Sequence, residues 1–266
     1  SKLYATESSV YRTVGLFEDH MGQLSEEQQK DGKQIAASIA EYAIECSLNK
    51  VFATESLDYI VDEGVQLHGG YGFMREYEIE HLYRDSRINR IFEGTNEINR
   101  LLVPGTYLRK ALKGELPLLQ KAQTLQEELM MLMPQEVGNE PLDQEKMLVQ
   151  NGKKIALLLL GLAAQKYGKE LEKEQEILVN ISDMISNVYA MESTVLRTEK
   201  AISKTGADQN SLKVKYTQVF CQEAFNRIEA DAKETLIGVE QGDTLRVMLS
   251  SLRKLTRYTP INVISV

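Results

Sequence analysis

Apolar residues recur along this chain at intervals of three and four, the spacing that lines one face of an α-helix. From about Lys33 to Gly64 the residues Ile44, Leu48, Val51, Phe52, Leu57, Ile60 and Val61 fall on one stripe and predict a long helix. Upstream, Ser1 to Glu18 reads as helix through Leu3, Val10, Val14 and Leu16, with no capping residue ahead, so the element is expected to begin before the chain does. A polar interruption, EDHMGQLSEEQQKDG, separates the two. A further helix is expected from Thr95 to about Leu112, disturbed at Pro104-Gly105 by the missing proline N–H. Between Lys113 and Asp143 the residues Gly114, Pro117, Pro134, Gly138 and Pro141 bracket one amphipathic segment, Leu118 to Met133, and read as a linker carrying one helix. Its Leu129-Met130-Met131-Leu132-Met133 end suits packing against its own protein, with a membrane or a long acyl chain as the sharper alternative.

The last third repeats the first. Residues 186–198 (SNVYAMESTVLRT) match residues 1–13 (SKLYATESSVYRT) at eight of thirteen positions, and Val219-Phe220-Cys221-Gln222-Glu223 parallels Val51-Phe52-Ala53-Thr54-Glu55. Such self-similarity suggests a duplicated helical unit. In the second copy Lys153 to Tyr167 and Leu171 to Ile185 precede the shared segment, so a partner helix is expected upstream of Ser1. The pattern predicts an all-α protein: an antiparallel helical bundle over 1–112, the linker 113–143, and a degenerate second bundle over 144–266.

Composition narrows the function. The 266 residues are 42% hydrophobic, ample for a core, and the formal charge of −8 argues against nucleic acid without a local basic patch. The basic group Arg246, Arg253, Lys254 and Arg257 reads as a solvated helix end, with membrane or CoA-phosphate contact as the alternative. Cys46 and Cys221 fit neither a disulfide framework nor a metal site and are expected to be buried and inert. His20, His68 and His81 are too scattered for a metal triad. No apolar run reaches the roughly 18 to 20 residues needed to cross a bilayer, and a soluble cytoplasmic protein is expected.

One stretch is denser in chemistry than the rest, Val65 to Arg100: VQLHGGYGFMREYEIEHLYRDSRINRIFEGTNEINR. Gly69, Gly70 and Gly72 free the backbone after a helix, either as a plain C-cap and turn or as a loop offering N–H groups to a ligand. It does not match the dinucleotide fingerprint, having no preceding strand and Arg75 where a third glycine belongs. Arg84-Asp85 reads as an ion pair bracing the helix before the next turn. Glu93 falls at an interhelical corner with Thr95 as N-cap of the following helix. Beside Ile91 and Phe92 it could be desolvated into a general base, or it could be a solvated loop glutamate; residue chemistry alone leaves both open.

Three segments in order, GVQLHGGYGF (64–73), YRDSRI (83–88) and IFEGTNEINR (91–100), resemble the C-terminal helical domain of acyl-CoA dehydrogenases. The resemblance is strong from about residue 40 to 110 and weaker beyond, where a second bundle resembles that of very-long-chain and longer bacterial members. It implies that Glu93 removes the α-proton of a fatty acyl-CoA while the β-hydride passes to FAD, with Gly94 against the substrate. It further implies that Thr95, Asn96 and Glu97 lie at the flavin, and that Gln66, Leu67, His68, Gly69 and Gly70 reach the FAD of a neighbouring subunit. A homo-oligomer (dimer or tetramer), electron-transfer flavoprotein as acceptor, no metal, and N-terminal helical and β-domains upstream come with it. On the same resemblance the isolated 266 residues are expected to be inactive. An acyl-CoA oxidase passing electrons to oxygen, and a helical assembly module without catalysis, are the alternatives.

Overall fold

The structure is a computed structural model that describes residues 1–130 and 137–264. Among these residues there are ten α-helices, short 3-10 turns and no strand. The expectation of an all-α protein holds.

The first half contains five helices. Helix α1 (Lys2–Gly22) is followed by a turn and by α2 (Gly32–Glu41), capped by the Asp31 carboxylate on the Lys33 N–H at 2.9 Å. The single long helix expected from Lys33 is instead two, because the chain breaks at Tyr42 and restarts as α3 (Ala43–His68). The cause is tertiary: the Tyr42 ring sits edge-on to Phe17 at 4.9 Å, and its hydroxyl lies 3.3 Å from His20 Nδ1, both on α1. Helix α3 also runs four residues beyond the expected end. Helix α4 spans Glu78–Ser86, and α5 (Asn96–Leu112) passes through Pro104 without interruption. The pyrrolidine removes one ladder bond, and burial of Pro104 against the neighbouring helices keeps the helix whole.

In the second half, α6 (Leu118–Met130) lies on α7 (Asp143–Tyr167), and α8 (Gln175–Thr205) and α9 (Ser211–Val239) form a long hairpin closed by α10 (Gly242–Leu255). Leu129 is buried against the protein; the Met130 side chain and residues 131–133 lie outside what is described. The main core is here: Ile155 and Leu159, Ile181, Met184 and Met191, Phe225, Ile228 and Leu236 are fully buried. The helix through Asp143–Lys173 is long and apolar enough to cross a membrane, but 67% of its apolar window is buried inside the protein, as in a core helix. Phe52, Leu101, Tyr107 and Leu108 from the first half pack on this core, and a small cluster of Ile44, Leu48 and Val103 bridges to it.

The two matched segments pack against each other in opposite directions, and their contacts come in exchanged pairs. Tyr4 pairs with Thr198 (3.0 Å) and Thr13 with Tyr189 (2.7 Å), where Tyr4 corresponds to Tyr189 and Thr13 to Thr198. Arg12 meets Glu192 at 3.0 Å and stacks on Tyr189; its counterpart Arg197 meets Glu7 at 3.0 Å and stacks on Tyr4. Arg12 donates to Ser193 (3.3 Å) and Arg197 to Ser8 (3.4 Å). The matched Phe52 and Phe220 lie edge to face at 5.9 Å across the same axis. A two-fold relation between two segments of one chain is the arrangement of an isologous interface.

Candidate active site

After α4 a 3-10 turn over Arg87–Arg90 redirects the chain, and two consecutive residues then take left-handed backbone: Glu93 (φ 57°) and Gly94 (φ 82°). For glycine this is free; for glutamate it costs roughly 1 to 2 kcal/mol, which the surroundings must hold in place. They do so from the start of α5. Thr95 caps the helix, its hydroxyl accepting from the Ile98 N–H at 3.3 Å, and Asn99 Nδ2 donates to the carbonyls of Gly94 and Thr95, both at 3.0 Å. A Cβ on Gly94 would stand 3.0 Å from Asn99 Nδ2.

The corner thus projects the Glu93 carboxylate outward. Of the two readings left open by residue chemistry, the solvated one describes Glu93 within this chain: it is exposed, and Ile91 and Phe92 are each about half exposed. Glu97 is set up differently. Bonds from its own backbone N–H and from Thr95 hold its carboxylate below the usual range, as suits an anion at a helix N-terminus and not a proton acceptor.

Asn96 behaves unlike a ligand-facing side chain. It is fully buried; Lys50 Nζ donates to its Oδ1 at 2.7 Å, and its Nδ2 donates to Thr54 Oγ1 at 3.0 Å and to Glu55 Oε1 at 3.1 Å. Glu55 in turn takes a two-pronged bond from Arg100, at 2.7 and 2.9 Å. Burial opposes the Glu55 charge, but the Arg100 and Asn96 donors hold its carboxyl below the usual range.

Gln66, Leu67 and His68 form the last turn of α3, with Gly69 (φ 58°) as its C-cap, its N–H on the Gln66 carbonyl. Leu67 is 86% exposed, and His68 Nδ1 lies 2.7 Å from the Gly64 carbonyl. Thr54, against Asn96, precedes Gln66 by twelve residues, which on a helix is roughly 18 Å. The two groups of candidate residues therefore do not meet in one site within this chain. Gly72 approaches the end of α3 so closely that a Cβ would meet the Val65 carbonyl oxygen at 2.5 Å.

Two other expectations, on Arg84-Asp85 and on Cys46, need correction. Arg84 pairs with Glu80 one turn back on α4 at 3.3 Å, not with Asp85, because i,i+4 neighbours share a helix face and adjacent residues do not. Cys46 is exposed while Cys221 is buried. Among the described residues no group of His, Cys, Asp and Glu is arranged to hold a metal ion. Arg246 pairs with Asp243 at 3.1 Å, and Lys254 donates to the Leu129 carbonyl at 3.3 Å. Asn99, Lys50, Glu55 and Arg100 were missed as residues that shape the corner; the only signal was the repeat that carries Glu55 and the motif that ends on Arg100.

Two family models, each described as the acyl-CoA dehydrogenase C-terminal domain, match residues 21–106 and residues 151–254. A probable acyl-CoA dehydrogenase of Bacillus subtilis (strain 168) is 73% identical over 264 residues, 99% of this chain and 44% of that protein. The chain belongs to the acyl-CoA dehydrogenase family. The crystal structure of an acyl-CoA dehydrogenase complexed with FAD from Bacillus anthracis matches with a TM-score of 0.98 and 77% identity, over 99% of this chain and 45% of that one. The human mitochondrial very long-chain specific acyl-CoA dehydrogenase is 48% identical over 63 residues, 24% of this chain and 10% of that protein. The chain thus spans less than half the length of the relatives it matches.

Proposed function

We propose that this chain carries the base and part of the flavin-binding surface of an enzyme that dehydrogenates fatty acyl-CoA to trans-2-enoyl-CoA in β-oxidation. The observation that carries the reading is the left-handed Glu93, strained in the general case and followed by a turn that Thr95 and Asn99 hold, with its side chain left exposed. Backbone held in a sparsely populated region at an exposed acid is explained by a function that needs the acid there.

The residues at the start of α5 and in the glycine loop fit a flavin. The first N–H groups of α5 stand behind the Thr95 cap, Gly69 and Gly70 have nothing within 4 Å of where a Cβ would lie, and Leu67 offers an uncovered apolar side chain beside them. When bound, FAD supplies the hydride acceptor at N5. Thr95 and Glu97 would meet it through the helix start, and Asn96 through its backbone N–H alone, since its side chain is committed inward. Gln66, Leu67, His68, Gly69 and Gly70, roughly 18 Å away along α3, would serve a second FAD in a homo-oligomer. A thioester lying against Gly94 would present its α-carbon to Glu93. The carboxylate takes the α-proton, the C–H electrons form the α,β double bond, and the β-hydride leaves to the oxidant, so the substrate loses two electrons and two hydrogens. Electron-transfer flavoprotein is the proposed onward acceptor, a role in keeping with a relative named as a subunit of a caffeyl-CoA reductase-Etf complex.

The test uses the intact protein. Glu93→Gln keeps size and some hydrogen bonding but removes the proton acceptor, so FAD and acyl-CoA binding are expected to persist while flavin bleaching on anaerobic mixing slows by roughly 10²- to 10⁴-fold or more. Bleaching at the wild-type rate in Glu93→Gln, with loss in Glu97→Gln, would move the base to Glu97.

A further inference from the structure

Arg100 is gripped from two sides. Its Nη1 and Nη2 bond Glu55 on α3, and its Nε bonds Asp183 Oδ1 on α8 at 2.6 Å. Asp183 belongs to the second bundle, in which no counterpart of the Glu93 corner survives. We propose that Asp183 is a positioning residue for that corner: by fixing Arg100 it fixes Glu55, and Glu55 fixes Asn96, three residues after Glu93.

The inference rests on the reading of Glu93 as base, and the geometry supplies the rest. A cavity of about 250 Å³ lies beside Arg100, lined also by Glu55, Asp183, Lys2, Arg227 and Asp231. That space is what a guanidinium held only by Glu55 could swing into. With both carboxylates in place the guanidinium plane is set in two directions, so Glu55 Oε1 stays where the Asn96 amide can reach it. Burial opposes the charge on Arg100, but Glu55 and Asp183 raise its pKa further, so it is a permanent cation. Burial lifts Asp183 more than the shared guanidinium lowers it. The pair is also asymmetric in geometry, since Glu55 takes two bonds from Arg100 and Asp183 takes one, so Asp183 is the partner whose alteration leaves the Arg100–Glu55 fork in place. The Ser56 hydroxyl, 1% exposed and without a partner, lines the same cavity, so this wall is not closed by its own hydrogen bonds.

Asp183→Asn in the intact holoenzyme removes the charge and keeps the shape. The rate of flavin reduction per bound FAD is expected to fall roughly ten-fold with little change in KM, and the amides of Asn96 to Asn99 to exchange faster by a similar factor. Asp183→Glu should restore the rate to within about three-fold of wild type. Arg100→Lys keeps the positive charge but loses the planar fork that grips Glu55 through two nitrogens while a third meets Asp183; it is expected to show the same loss and serves where Asp183→Asn does not fold. A purely structural contact would lower the melting temperature and leave the rate per FAD unchanged, and that result in the folded variants would overturn the proposal. Failure of the base assignment shows elsewhere, as a Glu93→Gln enzyme with wild-type bleaching, and would leave the exchange result standing.

Discussion

At the scale of single residues, the motif resemblance marked Glu93 and Gly94, while residue chemistry could not see why they are special. Backbone dihedrals are absent from a residue string, and the left-handed pair is visible only once Asn99 is found holding the Gly94 and Thr95 carbonyls. Alanine at Gly94 would place a Cβ 3.0 Å from Asn99 Nδ2 on a backbone at φ 82°. Gly94→Ala should therefore cost about 1 to 2 kcal/mol of stability. It should also slow flavin reduction at least ten-fold by turning Glu93, measured by thermal melts and anaerobic mixing. Asp231 gives a pH prediction. Burial first, then Asp183 and Glu234, push its carboxyl up to about 6 against opposing Arg227 and Arg100. Its folded-state pKa lies above the unfolded 3.8, so the folded protein binds the proton more tightly, and stability falls as pH rises from about 4 to about 6. Partial exposure screens the effect, leaving about 1 kcal/mol. Asp231→Asn should raise the melting temperature of the intact protein at pH 7 and change little at pH 4; an equal shift at both would contradict the burial argument.

At the scale of elements, the helical period was strong enough to find nearly every helix, because each buries one apolar stripe against the core. The ends and breaks were less legible. Tyr42 ends α2 through contacts with Phe17 and His20 twenty-two or more residues away, and no local signal encodes that. Pro104, a local stop signal, is overridden by packing. Close helix approach was also invisible: a Cβ on Gly161 of α7 would lie 2.3 Å from Ala122 Cβ of α6, with no flexible side chain to yield. Gly161→Ala is expected to destabilise by about 1 to 3 kcal/mol as α6 is pushed outward, and Ala122→Gly in the same protein should recover part of the loss. Additive costs in a double-mutant cycle on thermal or denaturant midpoints would show that the two helices do not meet there.

At the scale of the whole molecule, the repeat was readable as eight matches in thirteen, yet what it builds was not. Its exchanged contacts place residues 1–13 and 186–198 across a local two-fold axis, so that the second segment covers the first. The opposite flank of the first copy stays open. Leu67, Phe73 and Ile98 are 86%, 80% and 61% exposed, beside the glycine loop and the start of α5. Leu67 and Phe73 flank the glycine loop as exposed apolar side chains, of the kind that marks an interface, and on the proposed reading that end of α3 is where a second subunit and its flavin meet this one. If so, assembly and cofactor retention are one property. Phe73→Asp in the intact protein should lower the mass measured by sedimentation or light scattering and the FAD content together, by at least about ten-fold in association constant for one desolvated charge. The exchanged pairs around Tyr4 and Tyr189 lie on a different face and should be untouched, so the melting temperature of the helical core should hold. A Phe73→Asp protein that loses FAD while keeping its mass would place the flavin contact within one subunit and remove the link between oligomer and cofactor.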